Sequence, residues 1–369
     1  MKRVLSFIQN EIALVLAALA AVCSMPFVPP DAEYIGYIDF NVLALLFSLM
    51  IVIAGITKLG VFEVLSQRLI SKAGSLKRLA LILVLLCFFF SMLITNDVAL
   101  LTFIPFTVMV LRFAGEERLV YVITLQTVAA NLGSMLTPMG NPQNLYLYSY
   151  FGLDATEFFK ITLPIVGVSA LMIVACTLLI KNRQMEVCFA EKAAVRDKKR
   201  LALYLALFAV CLLAVLKIIH YGAAFIVVLA AVLLADRSLL RRVDYALLLT
   251  FVCFFIFVGN LGRIEAVRAL VSSLIAGKEL LFSAGLSQII SNVPAAVMLS
   301  GFTQNYKALI AGTNIGGLGT LIASLASLIS FKLYTKNSGA RPALYMGVFT
   351  GINALFLAVL LLFGSALAA

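Results

Sequence analysis

Charge is scarce in this chain of 369 residues: 12% Asp, Glu, Lys and Arg stand against 63% hydrophobic residues. So little polar surface excludes a soluble globular protein, and the apolar runs leave no stretch for a soluble module. Histidine occurs once, as His220, with no H-E-x-x-H run and no serine–histidine pairing, so an enzyme is not expected. No phosphate loop ending in Gly-Lys-Ser/Thr occurs, which excludes a built-in ATPase and makes any pumping secondary. The six cysteines (Cys23, Cys87, Cys176, Cys188, Cys211 and Cys253) form no C-x-x-C and mostly sit in apolar runs, which points to packing and not to disulfides or a metal.

The net charge of +11 is not a nucleic-acid footprint, because Lys and Arg cluster in short loops between apolar runs, as cytoplasmic loops do. Crossings are predicted at 12–28, 40–57, 118–150 (broken), 158–180, 201–219, 222–236, 244–260, 307–334 (broken) and 342–367, nine in all with the N-terminus inside. The first of these is read as a helix and not a signal peptide, since an internal repeat needs it. Residues 79–112 are too long for one span of about 20 residues and short for two with a turn. They are read as a re-entrant hairpin entered from the cytoplasm, with a second, external hairpin at 279–304. This arrangement puts 22 of the 28 basic residues inside, whereas a full crossing at 79–112 would move the seven between Lys181 and Arg200 outside.

One unit occurs twice. Ile94 to Phe106 and Ile290 to Phe302 each carry a polar tip, Thr95-Asn96-Asp97 or Ser291-Asn292, between apolar arms. Asn131-Leu132-Gly133 followed by Thr137 and Asn141 recurs as Asn314-Ile315-Gly316 followed by Thr320 and Ser324. Ile38-Asp39-Phe40 recurs as Val243-Asp244-Tyr245. The expected organisation is one all-α transmembrane domain over 1–369: repeat one at 11–180, a linking helix at 201–219 and an inverted repeat two at 222–369, with four crossings per repeat.

The hairpin tips, the run Gly133 to Asn144 and the run Gly316 to Ile322 resemble the ion transporter superfamily. That group includes divalent anion/sodium symporters, citrate transporters, arsenite permeases and sodium/proton antiporters. In its carboxylate transporters each tip carries Ser-Asn-Thr, which contacts substrate carboxylates, while tip and facing break hold sodium. The resemblance implies a multi-pass cell-membrane transporter of a small anion, carboxylate or oxyanion, driven by sodium or protons, with members often homodimeric. Here the third tip position is Asp97 or Val293, a departure towards the arsenite-permease side. A metalloid efflux permease and a sodium/proton antiporter are the alternatives, ahead of a channel.

Discontinuous helices leave free N–H groups at one half-helix start and free C=O groups at the other's end, so a break can hold an anion and a cation close together. Substrate binding is assigned to Thr95, Asn96, Asn141, Asn144, Ser291, Asn292 and Thr320. The coupling ion, sodium at the two tips or a proton, is assigned to Asp97, Asn96, Asn131, Thr137, Gly140, Asn292, Asn314, Gly319 and Ser324. No covalent cofactor and no nucleic-acid partner are expected; lipid surrounds the chain. Bland roles compete: Asn96 and Asn292 as caps or interhelical bonds, Gly316, Gly317 and Gly319 as packing residues, and His220 as an interfacial residue. Asp97 is the one carboxylate placed deep in an apolar stretch, where a charge costs about 2.5–3.5 kcal/mol. It either caps the second hairpin arm, binds the coupling cation, or meets a substrate that is itself neutral or cationic.

Overall fold

The computed structural model describes residues 11–111, 113–185 and 192–368. Lys2, Arg3, Arg112 and Cys188, used in the charge and cysteine arguments, lie outside the described residues. Regular structure among those described is helical: α1 (Ile12–Ser24), α2 (Glu33–Tyr37), α3 (Phe40–Lys58), α4 (Val61–Ile70), α5 (Leu76–Ile94), α6 (Asn96–Leu111), α7 (Glu116–Ser134), α8 (Pro142–Tyr150) and α9 (Ala155–Leu178). Then come α10 (Lys198–Val215), α11 (Tyr221–Ala235), a 3-10 turn (Arg237–Arg242), α12 (Tyr245–Arg263), α13 (Glu265–Ile275), α14 (Glu279–Ile290), α15 (Asn292–Ser300), α16 (Tyr306–Ile315), α17 (Leu325–Thr335) and α18 (Pro342–Ala368).

Five helices are long and apolar enough to span a bilayer: α3, α5, α9, α12 and α18, or six spans if the α13–α14 pair, bent by 109°, counts as one. Four of the nine expected crossings are therefore single long helices. The fifth long helix, α5, is a hairpin arm; its 19 residues rise about 28 Å, so length alone does not separate a re-entrant arm from a crossing. The expected 12–28 crossing contains a helix of only 13 residues, because a turn closes it before the apolar run ends, whereas the expected 222–236 crossing is matched by the 15 residues of α11. Charged stretches hid three helices from the sequence reading, α2, α4 and α13. In α4 the side chains of Phe62, Ser66 and Ile70 recur every fourth residue and are buried, while Arg68 and Leu69 face out.

Neighbouring contacts fix direction. Along α5 and α7, Gln126 donates to Leu83 O, and the backbones touch at Gly133 and Phe88, so the two helices run parallel. Helix α6 then returns from the tip to the end where both began. In the same way α14 and α16 run parallel, with Gly312 against Leu280 and Gly316 against Ala284. The base of the first hairpin lies at the C-terminal end of α9, where Leu76 N donates to Arg183 O at 2.8 Å. The base of the second lies at the N-terminal end of α9, where Tyr306 donates to Glu157. The two most basic loops are laced together, Arg196 N donating to Leu59 O and Ala193 N to the Gln67 side chain.

The outer helices exchange partners: α1 packs on α12, with Asn260 donating to Ser24 at 2.8 Å, and α11 packs on α3. Lys58 and Asp236 close the latter pair at 2.6 Å. The Lys58 ammonium, with the Ser238 hydroxyl, holds the Asp236 carboxyl down to about 2. A carboxyl so depressed adds stability that is present above about pH 4 and is lost as pH falls towards 2.

A Cβ at Gly133 would lie 2.1 Å from Phe88 O and 2.7 Å from Ser91 Oγ. Gly133→Ala is therefore expected to lower stability by about 1–3 kcal/mol through forced separation of α5 and α7, read as a lower melting temperature of the purified protein. A parent-like melting temperature would show that this helix contact is not close-packed.

Candidate functional site

The two hairpin tips share one unusual backbone conformation. Thr95 has φ 72° and ψ 151°, and Ser291 has φ 77° and ψ 156°. This region is nearly reserved for glycine and costs a side-chain-bearing residue about 1–3 kcal/mol. From each tip the next amide reaches the facing break: Asn96 N donates to Gly140 O at 3.2 Å, and Asn292 N to Ala323 O at 3.0 Å. The breaks bond back alike, Thr137 to Met92 O and Thr320 Oγ1 to Gln288 O.

The first break follows from its sequence. Pro138 and Pro142 lack amide donors, and Asn141, in an extended conformation, caps α8 by accepting from Asn144 N at 2.9 Å, with Pro142 at the first helical position. Gly140 packs so tightly on Ser134 O that a Cβ would come within 2.0 Å. At the second break Ser324 stands at the cap position of α17 but turns its hydroxyl to Asn131 Oδ1 at 3.0 Å.

These asparagines form a buried lattice between the two halves. Asn96 Nδ2 donates to Asn131 Oδ1 at 3.0 Å, and Asn131 Nδ2 to Ser327 Oγ at 3.3 Å and Gly317 O at 3.4 Å. Asn141 Nδ2 donates to Asn314 Oδ1 at 3.0 Å, and Asn314 Nδ2 to Asn144 Oδ1 at 2.6 Å. The pattern is reciprocal: Asn141 of the first break bonds Asn314, and its counterpart Ser324 bonds Asn131, the counterpart of Asn314. Asn96 is thus an interhelical partner and not only a cap.

A cavity of about 770 Å³ reaches Thr95, Asp97 and Asn141 from the end of α3. Glu63, Arg242 and Asp244 line its outer part, so its walls carry three carboxylates and one guanidinium. Asp97 Oδ1 is buried there without a hydrogen-bond partner, and its own amide is taken by Asn96 Oδ1 at 3.0 Å. A second cavity of equal volume, lined by Asp154, Glu157, Lys160 and Lys307, lies at the opposite end and touches none of the duplicated residues.

Two of the predicted residues, Thr137 and Gly140, form the first break and bond Met92 O and Asn96 N, and the others fall into three groups. Thr95, Asp97 and Asn141 line the first cavity; Asn96, Asn131, Asn144, Asn292, Asn314 and Ser324 are buried in or beside the lattice; Ser291, Gly319 and Thr320 sit on the outer side of the second break, where Thr320 is exposed. Asn144 has no spare donor. Its Nδ2 lies 3.2–3.5 Å from the carbonyls of Ser134, Met135 and Thr137. At the second break Gln288 Nε2 fills the same role, donating to Gly316 O at 2.8 Å and Leu318 O at 2.9 Å. The carbonyls that would have to coordinate sodium at each break are already engaged by an amide, so the break residues do not fit that ion. Sequence reasoning missed Gln288, Ser134 and Ser327. Gln288 carried a signal, a polar residue within an apolar arm three positions before a tip, whereas a single Ser in an apolar run carries none.

The sequence profile of the citrate transporter family matches residues 4–308. The chain is similar to an uncharacterized transporter of Methanocaldococcus jannaschii, 33% identical over 85% of this chain and 87% of that protein. It is also similar to the inner membrane protein YbiR of Escherichia coli, 30% identical over 87% of this chain and 86% of that protein. Among solved structures, the YdaH transporter of Alcanivorax borkumensis matches with a TM-score of 0.61 over 96% of this chain and 97% of that one, at 13% identity, which is a likeness of fold.

Proposed function

The chain belongs to the citrate transporter family, a multi-pass integral membrane protein of the cell membrane, and we propose that it is a secondary active transporter moving a small anion, a carboxylate or inorganic oxyanion, by alternating access. The observation that carries this reading is the reciprocal bonding of counterpart residues around two strained tips, beside a cavity that ends on Thr95 and Asp97. Such pairing is what two inverted copies sharing a midplane site would produce. In this reading repeat one is 11–180, α10 is the linking helix and repeat two starts at 222. The laced basic loops mark the cytoplasmic end, so the cavity beside them is the inward-facing one. Gradient energy enters at Asp97, which takes up a proton or sodium ion as the substrate binds.

A second reading has its own support. Three carboxylates against one arginine make the cavity a poor host for a bare anion and favour a neutral substrate, such as an undissociated oxyacid, or a cation exchanged for protons. The test is flux into liposomes of reconstituted protein, across carboxylates, arsenite and phosphate, with sodium and pH gradients imposed separately. Accumulation against a gradient of one of the anions supports the first reading; accumulation of arsenite or sodium alone supports the second. Flux that only ever runs downhill and shows no substrate counterflow would make the protein a channel.

Topology is checked independently. Single cysteines replacing Ser75 and Glu116 are expected to react with a membrane-impermeant reagent from the cytoplasm, and those replacing Lys278 and Gln304 from outside. Reaction of the two members of either pair from opposite sides would remove the hairpin and the inversion with it.

A further inference from the structure

One side chain closes the second break. Gln288 lies one turn before the tip on α14, which runs parallel to α16. Its Nε2 donates to the carbonyls of Gly316 and Leu318 and to Ala284 O of its own helix at 3.1 Å, and its Oε1 accepts from Thr320 N at 2.9 Å. In a membrane the freed carbonyls of Gly316 and Leu318 and the amide of Thr320 would otherwise stand unpaired at high cost. Gly319 makes room for it: with φ at 102°, a Cβ there would come within 2.2 Å of Gln288 Oε1.

The first break has no such residue. Met92 stands at the matching position, three before Thr95, and Asn144 serves the carbonyls from the other side. Two unrelated side chains therefore bring a primary amide to the same place. Carbonyls gathered at the C-terminal end of a half-helix carry partial negative charge and are the natural seat of a cation in a discontinuous helix.

We propose that Gln288 is a specificity-determining residue that closes the second break to alkali cations, its amide donors standing where the ion would sit. Asn144 has the same effect at the first break, which leaves Asp97, a carboxylate at the tip whose Oδ1 has no hydrogen-bond partner, to take a coupling cation. This rests on the transporter reading only for the word coupling; exclusion of the ion is a property of binding.

The test uses the purified full chain in detergent, with melting temperature followed as sodium replaces choline at constant ionic strength. The parent is expected to show no saturable response to sodium, or one that disappears in Asp97→Asn. Gln288→Glu sets a carboxylate against two carbonyls, so it is expected to gain a saturable sodium stabilisation that fades as acid protonates the new group. Gln288→Ala is expected to melt lower than the parent in choline and to recover partly in sodium. If Gln288→Ala does not fold, Gln288→Glu decides alone. Sodium stabilisation of the parent that persists in Asp97→Asn, or a Gln288→Glu protein blind to sodium at every pH, overturns the inference. Failure of the transporter reading shows elsewhere, as an absence of gradient-driven flux in liposomes for the parent whatever its response to sodium.

Discussion

Asn131→Ala is expected to reduce transport to background while the protein still reaches the membrane. Asn131 is bonded to the first tip through Asn96 and to the second break through Ser324, Ser327 and Gly317. Alanine leaves several buried polar groups unpaired at about 1–3 kcal/mol each. At 1.4 kcal/mol per decade, two such groups correspond to roughly thirtyfold to more than ten-thousandfold of lost function. Flux into liposomes, with elution behaviour as the control for folding, measures it. Flux at the parent level would reduce the asparagine lattice to packing.

Asp97→Asn is the second large effect expected. The substitution keeps size and hydrogen-bonding reach but removes the only group at the tip that changes charge. Accumulation should be lost, together with dependence on the driving ion, while exchange of substrate across the membrane survives. Which dependence goes identifies the ion: loss of the pH profile means a proton, and loss of activation by sodium means sodium. A helix cap would tolerate asparagine and move neither. The geometry already weakens that role, because Asp97 Oδ1 accepts no hydrogen bond. Both dependences unchanged from the parent would remove Asp97 from the mechanism.

Much of this arrangement was legible in the sequence, for a physical reason. Breaks inside a membrane need prolines, glycines and amide side chains to compensate freed backbone groups, and those residues are conspicuous in an apolar chain. Thr95, Asn141 and Asn314 were readable on that ground, and the helix ends around Pro138 to Pro142 fell where expected. Partnership was not readable. That Ser324 would leave its cap position to bond Asn131 depends on the distance between two halves, which no local pattern encodes. Nor were α4 and α13 foreseen, since short amphipathic helices mix charged and apolar residues as loops do. Crossing lengths were misjudged where apolar residues continue through turns, as from Met25 to Val28 after α1.

The exchange of outer helices bears on how the chain is made. Helix α1 packs on α12, whose first residue follows the end of α1 by about 220 positions. At about 5–20 residues per second, α1 waits roughly ten to forty seconds for its partner to be synthesised. Helix α3 waits about three-quarters as long for α11. The first half therefore cannot finish folding as it emerges from the ribosome. Its packing is completed only when the second half arrives, so a lesion in α12 strands α1, the first helix described, as surely as a lesion in α1 itself.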